Sequence, residues 1–370
     1  MRVLVVTSSY PRSATDIAGF FVRDHVEMLR EFGHDVDVMT WQDTADPHDD
    51  GVIRVQYAPR SLQTLFYGAG APENLSSAAN GLLVPQAMVA MEREVARRAP
   101  AYDLLIGHWL VPAGLIVRRV GARLGRPTLV IGHSGGVHAL AKLPRRVGRS
   151  MARTIAAGPT TVPTQILKDL LDRTCGLTTR AQILPMGFTP ISPAPKLGRA
   201  LFMGRLVPIK RVDIAIRACA AARVGLDVAG DGPMRTDLET LATELGADVH
   251  FWGLVFGHQK ADLVAAASAF VLPSGRLRGR HEGLPVSLLE AASAGAVPVV
   301  GDLPGSDLLT PEPWQRPADA ADWSASVRLA TTPLPALRSR VSAAAEGLTW
   351  RNLSGRWREV VETAAAWRPE

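Results

Sequence analysis

The chain has 370 residues, 47% hydrophobic and 21% charged, with 33 Gly, 27 Pro and two Cys. This balance excludes collagen, wholesale disorder and a coiled coil. The two distant thiols, Cys175 and Cys219, exclude a disulfide framework or a Cys-based zinc site.

The N-terminal run Val3–Val6 reads as a buried strand, too short for a signal peptide. The segment Phe20–Phe32 has apolar residues at Phe21, Val22, Val26, Met28, Leu29 and Phe32, which is helical spacing, and Gly33 ends it. Strands are expected at Val36–Thr40, Asp103–Ile106 and Thr128–Ile131, with a helix over Ala113–Leu124. Strands alternating with helices imply a parallel sheet covered on both faces.

Three prolines in Gly187–Pro195 then suggest a linker, set at 188–198 between a domain of residues 1–187 and one of 199–349. After it the alternation restarts. Strands are expected at Ala200–Met203, Asp227–Ala229, Val249–Trp252, Ala269–Leu272 and Val297–Val300. Helices are expected at Val212–Ala222, Thr236–Leu245, Gln259–Ala267 and Pro285–Ala294. The fold class is therefore α/β, with two Rossmann-like, doubly wound halves. A ligand would sit beyond the carboxyl ends of the strands, in a cleft between the halves. The last segment, 350–370, has a helical pattern.

No apolar run reaches the roughly 18–20 residues that span a bilayer, so the expected location is the cytoplasm. The net charge is +6. Residues 1–185 hold 21 bases against 16 acids, and no acid falls between Leu104 and Lys168, where ten bases do. Such a field favours an anionic partner. The stretch 104–168 is expected to permit peripheral contact with an anionic membrane, and no nucleic-acid partner is expected.

No GxGxxG follows the first strand, and GxxxxGK[ST] and HExxH are absent from the chain. The informative stretch is Pro273–Val300. Glu282 and Glu290 flank Gly283-Leu284-Pro285, turn chemistry before a helix start with Pro near its first position. A helix N-terminus is a ready anion site, and carboxylates accept hydrogen bonds from vicinal diols. Together they describe a nucleotide-sugar pocket. Upstream, Gly204-Arg205-Leu206-Val207-Pro208-Ile209-Lys210 follows a strand. There Gly204 permits close backbone approach, while Arg205 and Lys210 can neutralise a diphosphate. The tight turn Ala229–Pro233 reads as structural.

In this order and spacing the motifs resemble glycosyltransferase family 4, retaining nucleotide-sugar transferases of the GT-B fold. The resemblance extends through Phe251-Trp252-Gly253, Leu272-Pro273-Ser274 and Leu289-Glu290-Ala291. In the first half it includes residues 104–115 (LLIGHWLVPAGL) and Leu184–Gly187. It implies that Glu290 binds the donor ribose and that Glu282 contacts the transferred sugar. Gly283, Leu284 and the neighbourhood of Pro285 would hold sugar and phosphate, with Arg205 and Lys210 on the diphosphate. It also implies that His133 faces the donor sugar, that Gly19 lies in a glycine loop near the diphosphate, and that the last helix crosses back to the first domain. The catalytic set implied is His133, Glu282, Arg205 and Lys210. His108, Trp109, Glu73 and His138 are candidates for the acceptor side.

The family often reads His-Gly-x-Asp where this chain has His133-Ser134-Gly135-Gly136, so that carboxylate is missing. The basic run Gly275–His281 reads either as a lid on the phosphates or as a solvated loop. The implied reaction moves a sugar from a nucleoside diphosphate-sugar to an acceptor hydroxyl, with no cofactor and no essential metal. Two other classes remain open: a GT-B epimerase or phosphorylase, and a basic lipid- or nucleic-acid-binding module.

Overall fold

The computed structural model describes residues 1–13, 16, 18–44, 51–66, 78–275 and 283–369. The chain divides into two compact units, Met1–Met186 with Ser354–Glu370, and Gly187–Leu353.

The first unit contains β1 (Arg2–Val6), α1 (Phe20–Glu31), β2 (Asp35–Trp41), β3 (Ile53–Val55), α2 (Ala78–Arg98), β4 (Leu104–His108) and α3 (Leu115–Leu124). It continues with β5 (Thr128–Ile131), α4 (Ser134–Lys142), α5 (Arg145–Ala156), β6 (Thr160–Val162), α6 (Gln165–Cys175) and β7 (Gln182–Ile183). Its strands pair in parallel in the order β3-β2-β1-β4-β5-β6-β7. Val3–Val6 and Leu104–His108 are buried throughout. A strand covered on both faces has no solvent side to make polar, which is why these segments read as continuous apolar runs.

The second unit contains β8 (Ala200–Met203), α7 (Val212–Ala222), β9 (Leu226–Ala229), α8 (Arg235–Glu244), β10 (Val249–Gly253) and α9 (Gly257–Ala266). Then come β11 (Ala269–Leu272), α10 (Val286–Ser293), β12 (Val297–Val300), α11 (Ala320–Ala330) and α12 (Pro335–Glu346). Its parallel sheet runs β10-β9-β8-β11-β12. The stretch after Met186 is packed into this unit: Lys196 Nζ donates to Ala265 O at 2.7 Å and to Ala294 O at 2.6 Å, and Ile191 N donates to Ser293 Oγ. The α/β class with two doubly wound parallel sheets is the one the alternating pattern implied.

In each sheet the strand order reverses once, between β1 and β4 and between β8 and β11. Loops leaving neighbouring strands diverge there, and an open crevice results. Helix α13 (Trp350–Ala366) passes from the second unit into the first at Ser354. Within the first unit Trp357 is fully buried and its indole N–H donates to Pro185 O at 3.2 Å. The Arg118 guanidinium lies over the Trp367 ring at 5.0 Å.

Candidate functional site

In the second unit, two loops meet at the sheet's switch point. The one after β8 runs through Gly204 and Arg205 to a short turn at Pro208–Lys210. Arg205 is exposed and Lys210 is buried, and a Cβ added to Gly204 would lie 3.4 Å from Lys210 Nζ. The turn after β9 is the mould for this loop. Gly230 has φ +144°, and a side chain there would meet Gly204 O at 1.9 Å. Leu206 N donates to Asp231 O, and Met234 N donates to Leu206 O. The structural reading of Ala229–Pro233 therefore has its physical reason in backbone packed directly on backbone.

The loop after β11 supplies the other wall. Gly275 N donates to Ile209 O at 3.2 Å, which joins the two loops. Ser274 beside it is buried, and its Oγ has no hydrogen-bond partner among the described residues. Pro285 caps α10 rather than occupying its first turn. Its fixed φ suits either position, and the cap leaves the N–H groups of Val286 and Ser287 at the helix mouth. Ser287 Oγ donates to Met203 O at 3.2 Å, which pins that mouth to the end of β8. Gly283, Leu284 and Pro285 are half-buried on the approach. Glu290 is buried one turn along, and its Oε1 accepts from Lys260 Nζ on α9 at 2.6 Å. Sequence reasoning expected the carboxylate and missed the lysine. Nothing in the weakly amphipathic run Gln259–Ala267 marks Lys260 as a partner for a residue 30 positions away. Glu282, and Arg276–His281 of the basic run, lie outside the described residues.

The first unit gathers a different set. Gly19 caps α1 with φ +71°, and a Cβ there would lie 2.3 Å from Ser9 O in the loop after β1. Only glycine permits that approach. It sets α1 so that Phe21 and His25 face the ends of β4 and β5. His25 Nδ1 lies 3.1 Å from His108 Nε2, and His108 Nδ1 lies 3.1 Å from His133 Nε2. His133 is half-buried at the N-cap of α4. Its ring is held by Phe21 and Trp109, each at 4.9 Å. The Trp357 ring lies 4.8 Å from His25.

His108 was expected on the acceptor side. It is fully buried with both ring nitrogens engaged by other histidines, so it does not reach a substrate itself. Trp109 is half-buried, and His138 is half-buried on α4. Glu73 lies outside the described residues. Among the described residues, no three His, Cys, Asp or Glu side chains are grouped to hold a metal ion.

The basic stretch 104–168 is less uniform than its sequence implied. Arg118 is buried, bonded to the carbonyls of Ile155 and Pro159 and to Thr160 Oγ1. Arg119 and Arg123 pair with Glu92, and Lys168 pairs with Asp172. The exposed charge is concentrated at Lys142, Arg145, Arg146 and Arg153, with Leu143 and Val147 exposed among them. Among the described residues no helix is long and apolar enough to cross a membrane.

Residues 198–328 match the family described as glycosyl transferases group 1, and residues 18–171 match the glycosyl transferase 4-like domain. The chain thus carries a 4-like domain followed by a group 1 domain, and its fold is of the GT-B type. Over 138 residues it is 33% identical to a Corynebacterium glutamicum enzyme, the GDP-mannose-dependent monoacylated α-(1-6)-phosphatidylinositol monomannoside mannosyltransferase. That alignment covers 32% of this chain and 36% of the relative's length. Its fold is similar to that of Anabaena HepE in complex with UDP and glucose, at TM-score 0.70 and 16% identity over 98% of this chain and 99% of the other. It is also similar to AviGT4, a glycosyltransferase involved in avilamycin A biosynthesis, at TM-score 0.60 and 18% identity over the full length of both.

Of the two matched domains, the 4-like one holds the three linked histidines. Burial pushes His25 and His133 down from 6.5 to about 3 and His108 well below its ordinary value, and a neighbouring histidine adds repulsion at His25 and His108. All three are therefore neutral at pH 7. The unfolded chain protonates them near 6.5 and the folded chain does not, so stability is complete above that pH and falls as the pH drops below it. We predict a loss of up to roughly 1.4 kcal/mol per pH unit per histidine between pH 6.5 and 5, above the range where ordinary carboxylates titrate. Denaturant midpoints measured across that window check it, and a flat profile would contradict it.

Proposed function

We propose that the chain is a retaining glycosyltransferase of family 4, which moves a sugar from a nucleoside diphosphate-sugar to a hydroxyl of a polysaccharide, lipid-linked or natural-product acceptor. The Ser287–Met203 hydrogen bond carries this reading. It holds the N-terminus of α10, an anion-favouring helix end, against the strand end that leads to Gly204, Arg205 and Lys210. A diphosphate there would meet helix N–H groups on one side and two cations on the other. Glu290, already accepting a hydrogen bond from Lys260, has further lone pairs for ribose hydroxyls. The relatives with UDP and with a GDP-mannose requirement in their descriptions support a nucleotide-sugar donor.

In this mechanism the bond from the anomeric carbon to the diphosphate oxygen breaks. Arg205, Lys210 and the α10 amides stabilise the charge that develops on the leaving group. The acceptor oxygen bonds to the anomeric carbon on the face the diphosphate left, and its proton passes to a phosphate oxygen. Glu282 contacts the transferred sugar, Gly283 and Leu284 support it, and Gly19 lies near the diphosphate. A neutral His133 hydrogen-bonds a hydroxyl of the donor sugar. Trp109, Glu73 and His138 belong to the acceptor side. No cofactor takes part and no metal is essential.

We expect sugar nucleotides screened against hydroxyl acceptors to yield a product whose new linkage keeps the donor's anomeric configuration, read by the anomeric proton coupling. Activity should survive a chelator. An inverted product would overturn the retaining mechanism, and turnover of the sugar nucleotide without an acceptor would overturn transfer.

The same reading places the enzyme, in the cytoplasm, at the inner face of an anionic membrane. The exposed group around Lys142–Val147 combines bases with Leu143 and Val147, which suits an anionic lipid surface. The chain should sediment with vesicles containing phosphatidylglycerol and not with pure phosphatidylcholine. Replacing Lys142, Arg145 and Arg146 with Gln should abolish the difference, and a variant that still sediments with the anionic vesicles as the unaltered chain does would contradict the assignment.

A further inference from the structure

We infer that His25, His108 and His133 act as one hydrogen-bonded unit, in which His25 and His108 are positioning residues that fix the His133 ring and decide whether its Nδ1 offers an N–H or a lone pair. The consequence for catalysis rests on the reading that His133 meets the donor sugar. The coupling itself rests only on geometry.

A neutral imidazole carries one N–H and one lone pair. Each of the two 3.1 Å contacts joins a pair of ring nitrogens, so each holds a single proton. Two protons in one contact would oppose two donors, and none would oppose two lone pairs. Either arrangement leaves buried polar groups unsatisfied, a costly outcome where water cannot reach. Only two assignments satisfy both contacts. In one, His25 donates through Nδ1 to His108, His108 donates through Nδ1 to His133, and His133 keeps its proton on Nδ1. In the other, His133 donates through Nε2 to His108 and His108 donates through Nε2 to His25, leaving His133 Nδ1 as an acceptor. All three rings then share one tautomer, whichever state is adopted.

The rings have little freedom to leave this arrangement. Trp357 packs on His25, Phe21 and Trp109 hold His133, and His25 and His108 are fully buried. The chain of contacts starts inside α1 and emerges at the N-cap of α4, beyond the carboxyl end of β5. The depressed basicity of the three rings keeps them neutral, as the two-state scheme requires. A sugar hydroxyl at His133 Nδ1 is thus told which way to point by a residue in another helix, one that never touches it.

Long-range proton–nitrogen correlation spectra of the histidine rings at pH 7.5, on the full-length protein, test this directly. The expected result is the same tautomer at positions 25, 108 and 133. Unlike tautomers at any two of them would overturn the proposal without any variant. His25→Phe keeps a ring against Trp357 and removes both nitrogens. It should leave His133 as a mixture of tautomers. It should lower kcat about tenfold or more, the scale on which orienting partners of a working histidine act, with the donor KM changed less than about twofold. His25→Gln, which restores an amide able to donate or accept, should recover part of kcat. Unchanged His133 signals in His25→Phe would overturn the coupling. Three like tautomers in a protein that transfers no sugar would uphold the coupling and overturn the enzymatic reading.

Discussion

A parallel sheet gathers every strand's carboxyl end at one edge, and a reversal of strand order forces two loops apart there. Both candidate sites in this chain depend on that constraint, met once in each sheet. In the second unit the reversal separates the loop after β8 from the loop after β11. The molecule closes part of the gap with two small contacts, Gly275 to Ile209 and Ser287 to Met203, while Gly230 after β9 packs against Gly204 from the other side. In the first unit the reversal lies between β1 and β4, and the space beyond β4 and β5 is filled by aromatic and imidazole rings rather than by cations.

The two units solve the problem of buried polarity differently. Around the proposed donor site, charge is matched by charge: buried Glu290 is paired with Lys260 in a contact short enough to be charge-assisted. Removing one member of such a pair would leave the other desolvated and unpaired. The histidine chain instead stays neutral and hydrogen-bonds ring to ring. Its cost appears only when protons are added, which makes it a specific rather than a strongly charged element. Arg118 shows a third solution, a buried cation held by carbonyls and hydroxyls and stacked on Trp367.

The second unit was the more legible in the sequence. Its strands are short buried runs, its helices lie between them, and the turn residues stand where the backbone needs them. In the first unit Thr160–Val162 and Gln182–Ile183 are too short and too polar to announce themselves as strands, and sheet pairing rather than propensity makes them so. Helix α2 carries Pro85 inside it and a weak apolar face, so it did not stand out either. His25 did have a readable signal. It lies four residues from both Phe21 and Leu29, on the apolar face of α1, where a histidine must find a buried partner. The partner itself is 83 residues away, and no local pattern encodes it. The same is true of Lys260 and Glu290. Arg118 was grouped with surface bases because composition counts charge without knowing which side chains turn inward.

The proposed donor site asks Glu290 and the loop from Gly204 to Lys210 to bind a nucleoside diphosphate. Calorimetric titration of the full chain with UDP, GDP, ADP and dTDP tests it most directly, with Glu290→Gln as the nearly isosteric control. The expected result is selective binding of one nucleotide, lost in that variant while its fold is kept. Absence of binding by all four, or binding that Glu290→Gln leaves unchanged, would contradict it.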